Sequence, residues 1–227
     1  MGRSFVIAID GPAASGKSTT AKILAEELEC LYIDTGAMYR ACALYALEHD
    51  VDLDDFNSVE TMLDKINIRF ENIKGQNCIF LNNHEVTDKI RTPEITQKSS
   101  RIATIACVRR RMVFLQRKMA ENNNVVMDGR DIGTVVFPDA DFKFYLIASL
   151  ETRAKRRLLE LKQKGIVADL DELTEELAWR DINDSTRDIA PLTKADDAIE
   201  VNTTNMSIDG QVKFILRRIS DEIAQYL

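Results

Sequence analysis

Cysteine is scarce in this chain: Cys30, Cys42, Cys78 and Cys107 are the only four, and they lie far apart. Their spacing fits neither a disulfide framework nor a zinc site, so reduced, mostly packed thiols are expected. Long hydrophobic runs are missing as well. No stretch approaches the roughly 20 apolar residues that cross a bilayer as a helix, which argues against a membrane protein. The opening Met1-Gly2-Arg3-Ser4 leads straight into an apolar stretch without an export segment, and a cytoplasmic protein is expected. There is no internal repeat, no low-complexity tract and no Gly/Ser linker. Positive charge is in deficit, since 30 Lys and Arg against 37 Asp and Glu leave a net charge of −7. A nucleic-acid polymer requires a basic face, so neither such a polymer nor a membrane is expected as a partner.

The 227 residues, 45% hydrophobic and 30% charged, suit one globular domain carrying a smaller insertion. Apolar runs at 5–9, 31–33, 125–127 and 142–147, with a weaker one at 198–201, read as strands covered on both faces. Helical periodicity follows the first run through 19–29 and the second to about Glu48. It returns at 92–121, 150–164, 170–181 and 207–226. This alternation predicts an open, mostly parallel α/β sheet flanked by helices. Residues 66–70 and 78–81, joined by a turn at Lys74-Gly75, with His84-Glu85-Val86 as a third strand, predict a small antiparallel sheet over about 65–90.

Gly11-Pro12-Ala13-Ala14-Ser15-Gly16-Lys17-Ser18 matches the phosphate-loop pattern G-x-x-x-x-G-K-[ST] between the first strand and the first helix. The glycines let backbone N–H groups turn inward on an anion, and the helix adds its positive end. Lys17 can reach the outer phosphates of a nucleoside triphosphate, and Ser18 can ligate magnesium.

A phosphate loop by itself does not separate a switch from a kinase. Asp-x-x-Gly, which GTPase switches need, occurs nowhere, and Thr193-Lys194-Ala195-Asp196 lacks the preceding strand that a base reader requires. Two segments instead suggest a second phosphorylated ligand. Asp34-Thr35-Gly36-Ala37-Met38-Tyr39-Arg40 sets a hydroxyl and backbone N–H groups at a helix start, with Arg40 about a turn further on. Asp128-Gly129-Arg130-Asp131 follows a strand, and carboxyl ends of parallel strands are where such sheets bind ligands. Asp128 could hold magnesium through its water shell, and Arg130 could neutralise a phosphate in transit. Arg109-Arg110-Arg111 and Arg153, Arg156, Arg157 sit on apparent helices, where a solvated face is the usual explanation and a small phosphorylated substrate the competing one.

Over nearly its whole length the chain resembles the bacterial-type cytidylate kinases, nucleoside monophosphate kinases of the phosphate-loop fold. The resemblance is carried by residues 11–18, 34–40, 128–140, Arg180-Asp181, Arg187 and Ala190-Pro191-Leu192. It implies one kinase domain over 1–227, with the insertion at 65–90 and a helical lid over about 153–187. The implied reaction is phosphorylation of CMP and dCMP by ATP with Mg2+, by direct in-line transfer in a monomer.

The resemblance also implies roles. Residues 11–18 with Thr19, Arg153 and Arg157 would bind ATP, and Arg180 would serve the lid. The monophosphate falls to Thr35, Arg40 and Arg130, the cytosine to Ser100, Arg109 and Asp131, and the sugar and phosphate to Asp184 and Arg187. Lys17, Arg130 and Asp128 would be catalytic, with Ser18 and, through water, Asp128 serving the metal. Thr35 replaces the serine frequent in related enzymes and keeps the hydroxyl. A carboxylate accepting from the cytosine N4 amino group, with a guanidinium donating to O2 and N3, would disfavour uracil. The alternatives are a kinase of the same fold for UMP or AMP, a nucleotide-binding regulator without transfer, and a polyanion-binding protein.

Overall fold

The computed structural model describes residues 4–225. Expectations touching residues 1–3 and Tyr226 lie outside the described residues. In chain order the elements are β1 (Val6–Asp10), α1 (Lys17–Glu27), β2 (Leu31–Asp34), α2 (Thr35–Glu48), α3 (Phe56–Lys65), β3 (Ile68–Ile73), β4 (Gln76–Leu81) and β5 (His84–Glu85). They continue with α4 (Pro93–Ile102), α5 (Ala106–Ala120), β6 (Val125–Gly129), β7 (Phe142–Ile147), α6 (Leu150–Gln163), α7 (Leu170–Thr186), β8 (Ile199–Asn202) and α8 (Ile208–Gln225). The chain divides into two compact units, one of Met1–Tyr32 with Asn122–Leu227, the other of Ile33–Glu121.

The larger sheet has the order β2-β6-β1-β7-β8. Its β1–β6, β1–β7 and β7–β8 ladders are all parallel, in register Ile9 to Asp128 and Asp10 to Gly129. β1 is central and therefore buried on both faces, which is why its sequence is an unbroken apolar run. Ile7 and Ile9 join Val126, Phe144 and Leu146 of the neighbouring strands in one core. Over them pack Ala21, Leu24 and Ala25 of α1 and Val212, Ile215 and Ile219 of α8, both sets at helical spacing. α6 and α7 lie against each other, with Ala154 and Leu177 meeting Ala13.

In the second unit α2 is buried along much of its length, including Met38, Ala41 and Cys42, and the Cys42 thiol lies 3.7 Å from the Met112 sulfur of α5. The antiparallel sheet runs β3-β4-β5. Its first hairpin turns through Lys74 and Gly75 at φ 53° and 82°, the left-handed pair that a two-residue hairpin turn requires.

The strand and hairpin expectations hold, with small shifts: β3 begins two residues later and β4 two residues earlier than the apolar runs suggested. Two helical expectations are corrected, and one helix is an addition. The segment 92–121 is two helices, because the chain tightens through Ala103-Thr104-Ile105, where the Ile105 N–H bonds the Ile102 carbonyl. No glycine or proline marks that break. α7 runs on to Thr186 rather than ending at Asp181. α3 was not foreseen. It starts at Asp55, whose carboxylate accepts from the Asn57 and Ser58 N–H groups and so caps the exposed donors.

Candidate active site

The loop between β1 and α1 turns as its glycines require. Gly11 has φ 148°, and a Cβ there would sit 2.1 Å from the Leu146 carbonyl oxygen. Gly16 has φ 96°, with the Gln211 side-chain oxygen 2.8 Å from where a Cβ would be. The loop carbonyls are held from behind. Arg153 Nη1 donates to the Ala13 carbonyl at 3.3 Å, while Arg156 Nη1 and the Thr203 hydroxyl donate to that of Ser15 at 3.2 and 2.8 Å. With the carbonyls turned toward these donors, the N–H edge of the loop is the face available to an anion. Lys17, buried, reaches back so that Nζ donates to the Pro12 carbonyl at 3.2 Å.

Asp128 stands near the carboxyl end of β6 and is buried. The Ser18 hydroxyl donates to its Oδ2 at 2.6 Å and the Tyr32 hydroxyl to its Oδ1 at 2.8 Å. A hydroxyl beside a carboxylate is a hard oxygen set that suits Mg2+, an ion that takes few protein ligands and keeps much of its water. Among the described residues there is no group of three or more His, Cys, Asp or Glu arranged for a metal. Ser18 and Asp128 thus fit a magnesium ion that keeps much of its own water.

Beyond β6, Arg130 Nε donates to Asp184 Oδ2 at 2.7 Å. Burial works against the charge of Arg130, but Asp184, Asp128 and Asp10 outweigh it and hold the guanidinium above its ordinary value. Burial likewise disfavours ionised Asp184, yet Arg130, Arg180 and Arg187 keep its carboxyl below the usual range. Asp131 is buried, with Oδ1 3.8 Å from Arg187 Nη2, and Arg187 Nε donates to the Ala190 carbonyl at 2.7 Å. One wide turn of π-helix follows, Ile132–Val136.

Arg153 makes a two-pronged pair with Asp181 of α7 at 3.0 and 2.6 Å. Arg157 pairs with Glu160 at 2.8 Å on the partly exposed side of α6. Because α7 extends to Thr186, Asp181 and Asp184 lie one turn apart on it.

In the second unit the Asp34 carboxylate caps α2 through the Ala37 N–H at 2.8 Å and accepts from Arg40 Nη2 at 3.1 Å. The guanidinium folds back over Gly36, where a Cβ would be 3.1 Å from Arg40 Nη1. Arg40 Nε is buried with no hydrogen-bond partner. Thr35 is buried at the start of the same helix. Arg109 is buried, lies 5.7 Å over the Tyr39 ring and donates to the Ala103 carbonyl at 3.1 Å. Ser100 Oγ is 3.5 Å from the Thr96 carbonyl.

The sequence-nominated residues thus fall into two sets. The larger unit gathers Lys17, Ser18, Asp128, Arg130, Asp131, Asp184 and Arg187, and the second holds Thr35, Arg40, Ser100 and Arg109. Sequence reasoning missed Asp10, Tyr32, Thr203 and Gln211, and named Arg156 and Asp181 without their contacts. Of these only Asp10 carried a local signal, as a carboxylate ending an apolar strand directly before the loop glycine. Its pKa is pushed up to about 6, chiefly by burial, against the pull of hydrogen bonds from Gly133 and Ile132.

The family model for cytidylate kinase matches residues 7–221. The chain belongs to the cytidylate kinase family. It is accordingly an enzyme, a kinase of nucleoside monophosphates. Cytidylate kinase of Lactobacillus johnsonii is 50% identical over 203 residues, covering 89% of this chain and 88% of that protein. Cytidylate kinase of Bacillus cereus strain B4264 is 46% identical over 225 residues, 99% of this chain and 100% of that protein. A solved structure of an uncharacterized protein from Eubacterium ventriosum shares the fold, at a TM-score of 0.52 and 16% identity, covering 96% of this chain and 99% of that one. Among the described residues of this cytidylate kinase family member, no helix is long and apolar enough to cross a membrane.

Proposed function

We propose that the enzyme transfers the γ-phosphoryl group of ATP to CMP and dCMP in a direct in-line step, as a monomer in the cytoplasm. The observation that carries the reading is the gathering, at the carboxyl ends of β1 and β6, of the glycine loop with Lys17, the Ser18–Asp128 pair and the Arg130-Asp131 turn. The four cysteines are free thiols, in keeping with a reducing compartment.

The donor tail lies along the loop of residues 11–19, on the N–H groups of all but Pro12, and Lys17 leaves the Pro12 carbonyl to meet the outer phosphates. Magnesium, held by Ser18 Oγ and through water by Asp128, would supply positive charge to the phosphate oxygens when bound. Arg153 already serves Asp181 and the loop carbonyl of Ala13, so it steadies the loop. Arg157 gives up only a partly exposed pair with Glu160, worth about 0–1 kcal/mol, to reach ATP.

The acceptor monophosphate is taken by Thr35, Arg40 and Arg130, and Arg130 exchanges Asp184 for phosphate oxygens as it does so. Asp184 is thereby released to a sugar hydroxyl, beside Arg187. Cytosine is read by Asp131 accepting from N4, with Arg109 and Ser100 on O2 and N3. No general base is required, because an acceptor phosphate at neutral pH is already largely ionised. The protein's part is position and positive charge, with Arg180 and the α6–α7 hairpin excluding water.

The test is ADP release from MgATP with CMP, dCMP, UMP or AMP as acceptor. CMP and dCMP are expected to lead. Faster turnover of UMP or AMP would overturn the base assignment, and ADP release independent of any acceptor would overturn the transfer itself.

A further inference from the structure

We infer that Asp10 is a positioning residue for the acceptor side of the reaction: its carboxylate clamps the turn that presents Arg130 and Asp131. Asp10 is the last residue of β1, and Gly11, the first glycine of the phosphate loop, follows it. Its two oxygens are both spent on backbone. The Ile132 N–H donates to Oδ1 at 2.9 Å and the Gly133 N–H to Oδ2 at 2.8 Å. Asp10 is 5% exposed, so little solvent is at hand to substitute for these bonds.

The first N–H groups of a helical turn have no partner within it and ordinarily take a side-chain cap from the residue just before. In the turn Ile132–Val136 that residue is Asp131, and its side chain makes no capping bond. Asp10 supplies the cap from the adjoining strand instead. Asp131 is thereby spared the role its position would give it, and its carboxylate is 3.8 Å from Arg187. The wide turn needs this outside support. Its own bonds, from the Val135 and Val136 N–H groups to the Asp131 carbonyl at 2.9 and 3.1 Å and from the Phe137 N–H to that of Ile132 at 2.7 Å, leave the Ile132 and Gly133 N–H groups to Asp10. The turn also sits tight against β7 and Asp10, since a Cβ on Gly133 would be 3.2 Å from the Lys143 side chain and 3.5 Å from Asp10 Oδ2.

Two acceptor oxygens are essential to the arrangement. Asparagine offers one, and its amide would oppose the second N–H. The charged form is kept although burial opposes it, with Asp131 raising and Arg130 lowering the cost. A group held ionised against its environment at the root of a ligand-binding turn fits a role in presentation better than one in stability.

The inference rests on the proposed roles of Arg130 and Asp131, and its test separates the two. Steady-state constants are measured for the wild type, Asp10→Asn and Gly133→Ala, varying CMP at saturating MgATP and the reverse, with melting temperatures at pH 8. For Asp10→Asn, kcat/KM for CMP is expected to fall at least about tenfold while KM for ATP stays within about threefold and the melting temperature does not drop. Gly133→Ala, which disturbs the same clamp from the other side, should show the same CMP-selective loss and decides the matter if the first variant does not fold. Wild-type CMP constants in Asp10→Asn, or equal losses on CMP and ATP with a lowered melting temperature, would overturn the inference. A wild type that turns over no CMP would instead remove the functional reading beneath it.

Discussion

Asp10 makes a stability prediction of unusual sign. Its pKa lies at about 6 in the folded protein against 3.8 for an ordinary aspartate, because burial disfavours the charge more than the Gly133 and Ile132 N–H groups favour it. Between those values the folded chain binds more protons than the unfolded one, so stability falls as pH rises. The contribution is fully present below about pH 3.8, declines through the window and is gone above about pH 6. About two pKa units at roughly 1.4 kcal/mol each come to about 3 kcal/mol. Asp10→Asn cannot titrate and resembles the protonated form, with one acceptor oxygen and one donor. The difference between the two stabilities cancels the groups remote from the substitution and reports residue 10 with the charges it touches, chiefly Asp131 and Arg130. Urea denaturation of both proteins at fixed pH values from 4 to 8 should give a difference in unfolding free energy that moves in favour of the variant by about 3 kcal/mol and levels off above about pH 7. A flat difference, or one moving toward the wild type, would refute the claim that a buried carboxylate is held ionised there at a cost. Combined with lost CMP turnover, the gain would be a direct exchange of stability for function.

Lys17→Ala and Arg130→Ala should each lose at least about tenfold in turnover, about 1.4 kcal/mol of barrier, in an ADP-release assay. Arg130→Ala also takes from the half-buried Asp184 its hydrogen-bonded arginine, leaving Arg180 and Arg187 nearby, and should lower unfolding free energy by about 1–2 kcal/mol in denaturant titration. Asp131→Ala should erode the ratio of CMP to UMP turnover, and an unchanged ratio would remove it from base reading. In Gly11→Ala the new Cβ meets the Leu146 carbonyl oxygen at 2.1 Å in a backbone region that disfavours side chains. We expect a loss of more than about 2 kcal/mol in stability and of ATP binding by calorimetry.

The sequence by itself determined whatever depends on neighbours along the chain. Residues 11–18 announce an anion-binding loop because glycine geometry and the following helix are properties of a contiguous segment. The run 142–147 announces a strand buried on both faces, and Lys74-Gly75 a hairpin, for the same reason. α3 and the break between α4 and α5 were less legible, since capping at Asp55 and the tightening at 103–105 replace the glycine or proline that punctuation normally uses. The tertiary structure alone decided which charges meet. Arg153 finds Asp181 28 residues away, Arg130 finds Asp184 at 54, and Asp10 caps a turn 122 residues distant. The Asp10 cap follows from the strand order β2-β6-β1-β7-β8, which sets the ends of β1 and β6 side by side, and the Arg153 pair from the packing of α7 on α6. The strength of each is set by burial, a property that no local pattern of residues contains.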